Sequence, residues 1–251
     1  HKGVERKVTG KTGNSVTVTM PPNPSHLEVI NPVAVGIARA IGTDVSQSGD
    51  AVFNPDVTLQ ILIHGDASFS GQGIVAETFN LSRLPGYWTG GTIHIIANNQ
   101  IGFTTLPSEG RSTLYASDLA KGFRVPVIHV NADDPLACIE VARIAYAYQD
   151  EFEKDFMIDL IGYRRYGHNE LDEPGFTQPL MYRDVRQHRT VREIWSSRLI
   201  SDGMTTDGET EELVQQYNDK LQKILDEDMG DDLADKKAPE PKRGAAAAMD
   251  T

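Results

Sequence analysis

Residues 57–98 read VTLQILIHGDASFSGQGIVAETFNLSRLPGYWTGGTIHIIAN, and this stretch decides the fold. Val57–His64 is a short run rich in Ile, Leu and Val, which suits a strand. Gly71–Leu81 has helical spacing, and Thr92–Asn98 returns to a strand-like apolar run. The rhythm continues downstream with a short helix over Ser117–Gly122, a strand over Pro126–Val130, a long helix over Asp134–Phe152 and a strand over Phe156–Tyr163. Strands alternating with helices, and apolar on both faces, predict an α/β domain with a parallel sheet flanked by helices and covered on both sides. Ligands of such sheets bind beyond the carboxyl ends of the strands. The residues that matter are therefore His64-Gly65-Asp66, Asn98-Asn99-Gln100, Asn131 to Asp134 and Arg164 to Glu170.

Upstream, Ser15–Met20 alternates Val and Thr as a strand does, and Pro21-Pro22-Asn23-Pro24 turns the chain. Pro32 suits a first helical turn before the periodic Val33–Ile41, and the polar Gly42–Asp56 reads as a loop. Beyond Met181 the chain is charged and helical, with Leu213, Tyr217, Leu221 and Leu225 on one stripe of a helix over Glu209–Asp228. The expected organisation is an α/β domain over 1–200, a helical acidic extension over 201–229, and a linker or disordered tail over 230–251.

The formal net charge is −12, and residues 201–251 alone carry 14 acids against 6 bases. That balance argues against a nucleic-acid partner, whose phosphates require basic contacts. The single cysteine, Cys138, excludes an internal disulfide and fits a reducing compartment. It lies in an apolar periodic stretch and reads as a structural thiol. No apolar run approaches the roughly 20 residues that span a bilayer. The chain begins at His1 without an initiator methionine, so its start excludes no targeting segment.

Asp66 follows one expected strand and Asn99 follows the next. One carboxylate and one neutral amide converging from adjacent strand ends make a poor zinc site. They suit magnesium, which takes hard oxygens from one or two carboxylates and the remainder from phosphates and water. The Ile101 carbonyl offers another oxygen, and the small residues Gly65, Ala67 and Ser68 let backbone approach an anion. A magnesium-bridged diphosphate at the sheet edge is the expectation; the alternative is that these are only turn residues. Gly71-Gln72-Gly73-Ile74-Val75-Ala76 matches a dinucleotide fingerprint, but it does not follow its strand directly. Asn98-Asn99 also stands where a ribose-binding acid is needed. No lysine-bearing phosphate loop occurs. Among the histidines, His26, His64 and His168 lie near the expected anion site, whereas His94, His129 and His188 read as packing or surface residues.

Six segments together resemble the 2-oxoglutarate dehydrogenase family: NPSHLE at 23–28, IHGDASFSGQGIVAETFNLS at 63–82, GGTIHIIANNQIGFTT at 90–105, RSTLYASDLAK at 111–121, HVNADDP at 129–135 and YRRYGHNELDEPGFTQPLMY at 163–182. The resemblance implies a thiamine-diphosphate-binding fold and oxidative decarboxylation of 2-oxoglutarate, with acyl transfer to the lipoyl group of a dihydrolipoyl succinyltransferase. It implies thiamine diphosphate held through Mg2+ by Asp66, Asn99 and the Ile101 carbonyl, with Leu27, Ala67, Ser68 and His168 contacting the cofactor. Ser25, His26, His64 and His1 would line the 2-oxo acid site, with His26 and His64 as the catalytic histidines. A homodimer is implied, as is a pyrimidine-binding half that supplies the activating glutamate and has no counterpart in these residues. The compartment implied is the bacterial cytoplasm, or the mitochondrial matrix of a eukaryote. Ala67 stands where the Gly-Asp-Gly signature has its second glycine. A related enzyme acting on 2-oxoadipate and a non-catalytic binding or assembly module are the alternatives.

Overall fold

Four of the expected strands pair side by side in the computed structural model, which describes residues 2–46 and 48–231. They are β5 (Gln60–Gly65), β6 (Thr92–Asn98), β7 (Val127–Asn131) and β8 (Phe156–Ile161), in the order β5-β6-β8-β7 and parallel throughout. Before them come an antiparallel pair, β1 (Val4–Thr9) with β2 (Ser15–Met20), the helix α1 (Ile30–Ile41), and a two-residue pairing of β3 (Thr43–Asp44) with β4 (Val52–Phe53). The segment expected to be a plain loop over Gly42–Asp56 thus holds a small hairpin, and β1 was not anticipated. Neither had a strong apolar signal. The strand expected from Val57 begins at Gln60 instead, because Asn54 caps a 3-10 turn over Pro55–Val57 by accepting from the Asp56 amide at 2.9 Å.

The helix expected over Gly71–Leu81 starts at Gly73 and is preceded by a separate short helix. α2 (Asp66–Gly71) opens directly after β5, and α3 (Gly73–Leu81) follows a break at Gln72, whose backbone is extended. The glycine pattern 71–76 therefore spans the end of α2 and the first turn of α3, and a Cβ on Gly71 or Gly73 would meet nothing within 4 Å. That removes the close approach for which a dinucleotide fingerprint needs glycine.

Connections β5 to β6 and β6 to β7 move across the sheet in one sense. Their helices, α2, α3 and α5 (Asp118–Gly122), cover one face, as does the segment around Ala116. The return from β7 to β8 runs through α6 (Pro135–Phe152), which covers the other face. A constant crossover hand requires that switch of face. On the first face Phe69, Val75, Phe79, Ile96, Ala120 and Met157 pack together, and each large side chain contributes about 1.5–3 kcal/mol by leaving water. α6 starts where Asp134 accepts from the Ala137 amide at 3.1 Å with Pro135 at the first turn, and it ends at Glu153 in the left-handed region, φ 51°.

Cover is incomplete on the α6 face. Ile61 and Ile63 of β5 are 53% and 72% exposed there, so the expectation of a sheet covered on both sides holds for β6, β8 and β7 but fails for β5. Gly91, with φ 91°, leads into β6 so close to Lys154 that a Cβ would lie 2.5 Å from its carbonyl carbon.

The chain divides into two compact units, His1–Trp195 and Ser196–Thr251. The first also holds α4 (Pro107–Gly110) and α7 (Pro179–Gln187), and α8 (Val191–Ser201) spans the boundary. In the second, α9 (Asp207–Asp231) starts with a reciprocal cap: Thr206 and Glu209 each donate a backbone amide to the other's side chain. Its stripe Leu213, Tyr217, Leu221 and Leu225 is exposed. The expected linker over 230–251 lies outside the described residues beyond position 231. No helix among the described residues is long and apolar enough to cross a membrane.

Candidate functional site

Gly65 is paired with Ala97 in the parallel register, so Asp66, just past β5, and Asn99, just past β6, both lie at the carboxyl end of the sheet on neighbouring strands. Asp66 begins α2 and is 3% exposed, with the backbone amides of Asp66 itself and of Asn99 near enough to favour its charged form. Burial pushes the Asp66 carboxyl above its ordinary value, although these amides and Arg111 pull the other way. The Arg111 guanidinium lies 3.7 Å from the Asp66 carboxylate, and its buried Nε has no hydrogen-bond partner among the described residues.

The Asn99 side chain accepts from the Ile101 amide at 3.2 Å, which folds the 99–105 turn back toward the sheet. Gln100 and Phe103 adopt left-handed backbone, φ 61° and 55°. Gly102 allows this turn to pack on α2, since a Cβ there would lie 2.7 Å from the Ala67 Cβ. Ile101 is buried with Tyr182 and Val185. From the neighbouring strand end, Gly162 donates its amide to the Asn98 carbonyl at 2.8 Å and accepts from Gln100 Nε2 at 2.7 Å. The segment beyond Gly162 carries Arg164, which holds the Phe103 carbonyl at 3.0 Å, and exposed His168, whose ring meets Phe103 edge-on at 4.9 Å.

On the other side of Asp66, the turn Pro24–Leu27 exposes Ser25, His26 and Leu27. Glu28 follows them, buried and in left-handed backbone with φ 67°. Its carboxylate takes Ser68 Oγ at 2.5 Å, His64 Nδ1 at 2.6 Å and Asn31 Nδ2 at 2.7 Å. Burial pushes this carboxyl up, but His64, Ser68 and Asn31 outweigh it and hold the group below its ordinary value. His64 is 2% exposed, and its other ring nitrogen meets His94 Nδ1 at 3.0 Å. Burial, with His64 beside it, keeps the His94 imidazole well below its ordinary value and hence neutral.

The expected site residues thus fall into placed and unplaced groups. Asp66, Asn99, Ile101, Ala67, Ser68, His64 and His168 gather at the ends of β5, β6 and β8. Ser25, His26 and Leu27 reach the same end through Glu28, and His1 lies outside the described residues. His94, read from sequence as packing, is hydrogen-bonded to His64. His129, read the same way, meets the fully buried carboxylate of Asp159 at 2.8 Å. Asp159 also accepts from Asn98 at 3.0 Å, so it anchors the residue before Asn99. His188 pairs with Asp133 at 2.7 Å.

Glu28, Arg111, His94 and Asp159 were missed. An acid just before an apolar helix looks like a capping residue, and Arg111, though it opens the segment at 111–121, has no spacing that marks it as a partner of Asp66. Asp159 could have been suspected as a lone carboxylate inside an apolar strand.

No cluster of three His, Cys, Asp or Glu that could hold a metal occurs among the described residues. A cation here would take one carboxylate with amide, carbonyl and ligand oxygens, a set that suits magnesium. A cavity of about 400 Å³ lined by Ser82, Arg83, Trp88 and Asp155 opens at the opposite end of the sheet and has no part in this arrangement.

The 2-oxoglutarate dehydrogenase E1 component of Geobacillus kaustophilus strain HTA426 is 55% identical over 221 residues, 88% of this chain and 23% of the relative. The protein of the same name from Bacillus subtilis strain 168 is 52% identical over 227 residues, 90% of this chain and 24% of the relative. The chain therefore spans about a quarter of the length of the curated relatives it matches. A family model described as "Dehydrogenase E1 component" matches residues 1–241, nearly the whole sequence, and the chain belongs to that family.

Proposed function

We propose that this chain forms the diphosphate-binding part of an E1 component that decarboxylates 2-oxoglutarate and passes the acyl group to a lipoyl-bearing succinyltransferase. The observation that carries the proposal is the parallel register of β5 and β6, which brings Asp66 and Asn99 to the same end of adjacent strands. The names and identity of the relatives support the substrate. Their greater length leaves room for a pyrimidine-binding half outside these residues, and the same reading takes the assembled protein to be a homodimer.

Asp66, the Asn99 side chain and the Ile101 carbonyl would hold Mg2+, and Leu27, Ala67, Ser68 and His168 would contact thiamine diphosphate. When bound, that cofactor supplies the electron sink for loss of carbon dioxide. The chain itself binds and orients. Arg111 keeps positive charge beside Asp66 and offers an unpartnered N–H in a buried place, which suits a phosphate oxygen. His26 and Ser25, on the exposed turn, would receive the carboxylates of the 2-oxo acid, with His64 forming the inner wall. The packed start of α2 would exclude water from this side.

Calorimetric titration of the intact gene product with thiamine diphosphate, with and without magnesium, tests the proposal. Saturable binding that needs magnesium and vanishes in Asp66→Ala is expected. Equal affinity in Asp66→Ala and the parent protein would overturn the metal assignment.

A further inference from the structure

Glu28 is buried, and its carboxylate joins three elements on the substrate side. We propose that Glu28 is a positioning residue whose carboxylate locks the Pro24–Leu27 turn, the His64 ring and the Ser68 hydroxyl into one rigid unit, and so sets affinity for the 2-oxo acid. The inference rests on Ser25, His26 and His64 facing that acid, as proposed above.

Three hydrogen-bond donors from three separate elements converge on this one group. Asn31 comes from α1, His64 from the end of β5, and Ser68 from α2. All three bonds are short, 2.5–2.7 Å, as charge-assisted bonds are. The residue is 7% exposed, so water does not compete. Its backbone is held at φ 67°, a conformation that costs a non-glycine residue about 1 kcal/mol or more and persists only where surroundings enforce it. Here the enforcing contacts are the side chain's own.

The same carboxylate fixes the His64 tautomer. Nδ1–H donates to the Glu28 carboxylate, and Nε2 meets His94 Nδ1 at 3.0 Å. His94 in turn stacks against His64 at 5.3 Å and meets Phe79 at 4.6 Å, while Phe69 meets the His64 ring edge-on at 5.0 Å. The ring is thus held from both nitrogens and one edge. Since Glu28 is two residues from His26, movement of its carboxylate moves the exposed turn as well.

Three variants separate this role from a structural one. Glu28→Gln keeps the length and one acceptor oxygen. Glu28→Asp keeps the charge but is too short to reach all three donors. Glu28→Gly removes the carboxylate while relieving the left-handed backbone, so it is the variant best placed to fold. Steady-state kinetics on the intact gene product with 2-oxoglutarate should show KM raised about tenfold or more in Glu28→Gly and Glu28→Asp, with kcat changed less. Glu28→Gln should recover most of the lost affinity.

A second readout needs no cofactor: nitrogen-15 spectra of histidine-labelled protein should show His64 protonated at Nδ1 in the parent. In Glu28→Gly they should show a mixture of tautomers, with the signal assigned by its loss in His64→Gln. An unchanged KM in Glu28→Gly, or a parent His64 lacking the Nδ1 proton, would overturn the inference. A parent protein that fails to bind magnesium and thiamine diphosphate would instead overturn the functional proposal beneath it.

Discussion

Asp159 sits in the middle of β8 with no exposure and accepts from two donors, Asn98 Nδ2 at 3.0 Å and His129 Nδ1 at 2.8 Å. Replacing it by alanine leaves both donors without an acceptor. An orphaned buried donor costs about 1–3 kcal/mol. Asn98 is 5% exposed and should incur most of that range, whereas the His129 side chain is 30% exposed and can turn partly to water. The expected loss for Asp159→Ala is therefore about 2–4 kcal/mol, a large share of the roughly 5–15 kcal/mol that holds a typical domain together. Asp159→Asn keeps one acceptor oxygen but turns an amide toward the other donor, so about 1–3 kcal/mol is expected. Guanidinium denaturation of the two variants and of a His129→Phe background reads these values. In that background Asp159→Asn should cost at least about 1 kcal/mol less, because only one donor remains to satisfy. A cost for Asp159→Asn within about 0.5 kcal/mol of zero, or no coupling to His129, would refute the two-acceptor account.

Gly102→Ala should push the 99–105 turn off α2, because its Cβ would lie 2.7 Å from that of Ala67. Calorimetry should show magnesium-dependent cofactor affinity weakened about tenfold, with recovery in the double variant Ala67→Gly/Gly102→Ala; absence of recovery would show that the contact is not the cause. Asp155 is buried beneath the start of β6, and burial raises its carboxyl above the ordinary value even though the Thr92 amide donates to it at 2.9 Å. A raised folded-state value means that its contribution to stability is full below the unfolded-state value and is lost as pH rises through the folded one. Asp155→Asn, which still accepts from Thr92, should thus raise the melting temperature relative to the parent more at pH 7 than at pH 4. A gain independent of pH would argue against an ionised carboxylate at neutral pH.

How much of this was legible in the sequence depended on the range of the interaction. The strand over Thr92–Asn98 was read without error because a run of Ile residues at a sheet centre faces core on both sides, and hydrophobicity alone marks it. The start of β5 was misplaced because the Asn54 cap and Pro55 turn redirect Val57 and Leu59. The helix break at Gln72 was invisible because Gly71–Leu81 keeps helical spacing across it.

At the site, Asp66 and Asn99 could be paired from strand spacing, since parallel neighbours bring their ends together. Glu28 could not be placed from sequence. Its three partners lie 3, 36 and 40 positions away, and only the folded crossing of α1 over the β5 end unites them. Likewise His94 and His129 resemble ordinary strand residues until a neighbour supplies the second half of each hydrogen bond.

The sheet face that carries His64, His94, Asn98 and Asp159 has a consequence for assembly order. Sliding β6 by two residues against its neighbours would keep every isoleucine on the correct side, so greasy packing alone tolerates the mistake. Such a slide would part Thr92 from Gln60, His94 from His64 and Asn98 from Asp159, stranding several polar atoms in a dry place. The polar row thereby acts as a ruler. It selects one alignment from several near-equal ones, and the alignment it selects is the one that places Asp66 beside Asn99.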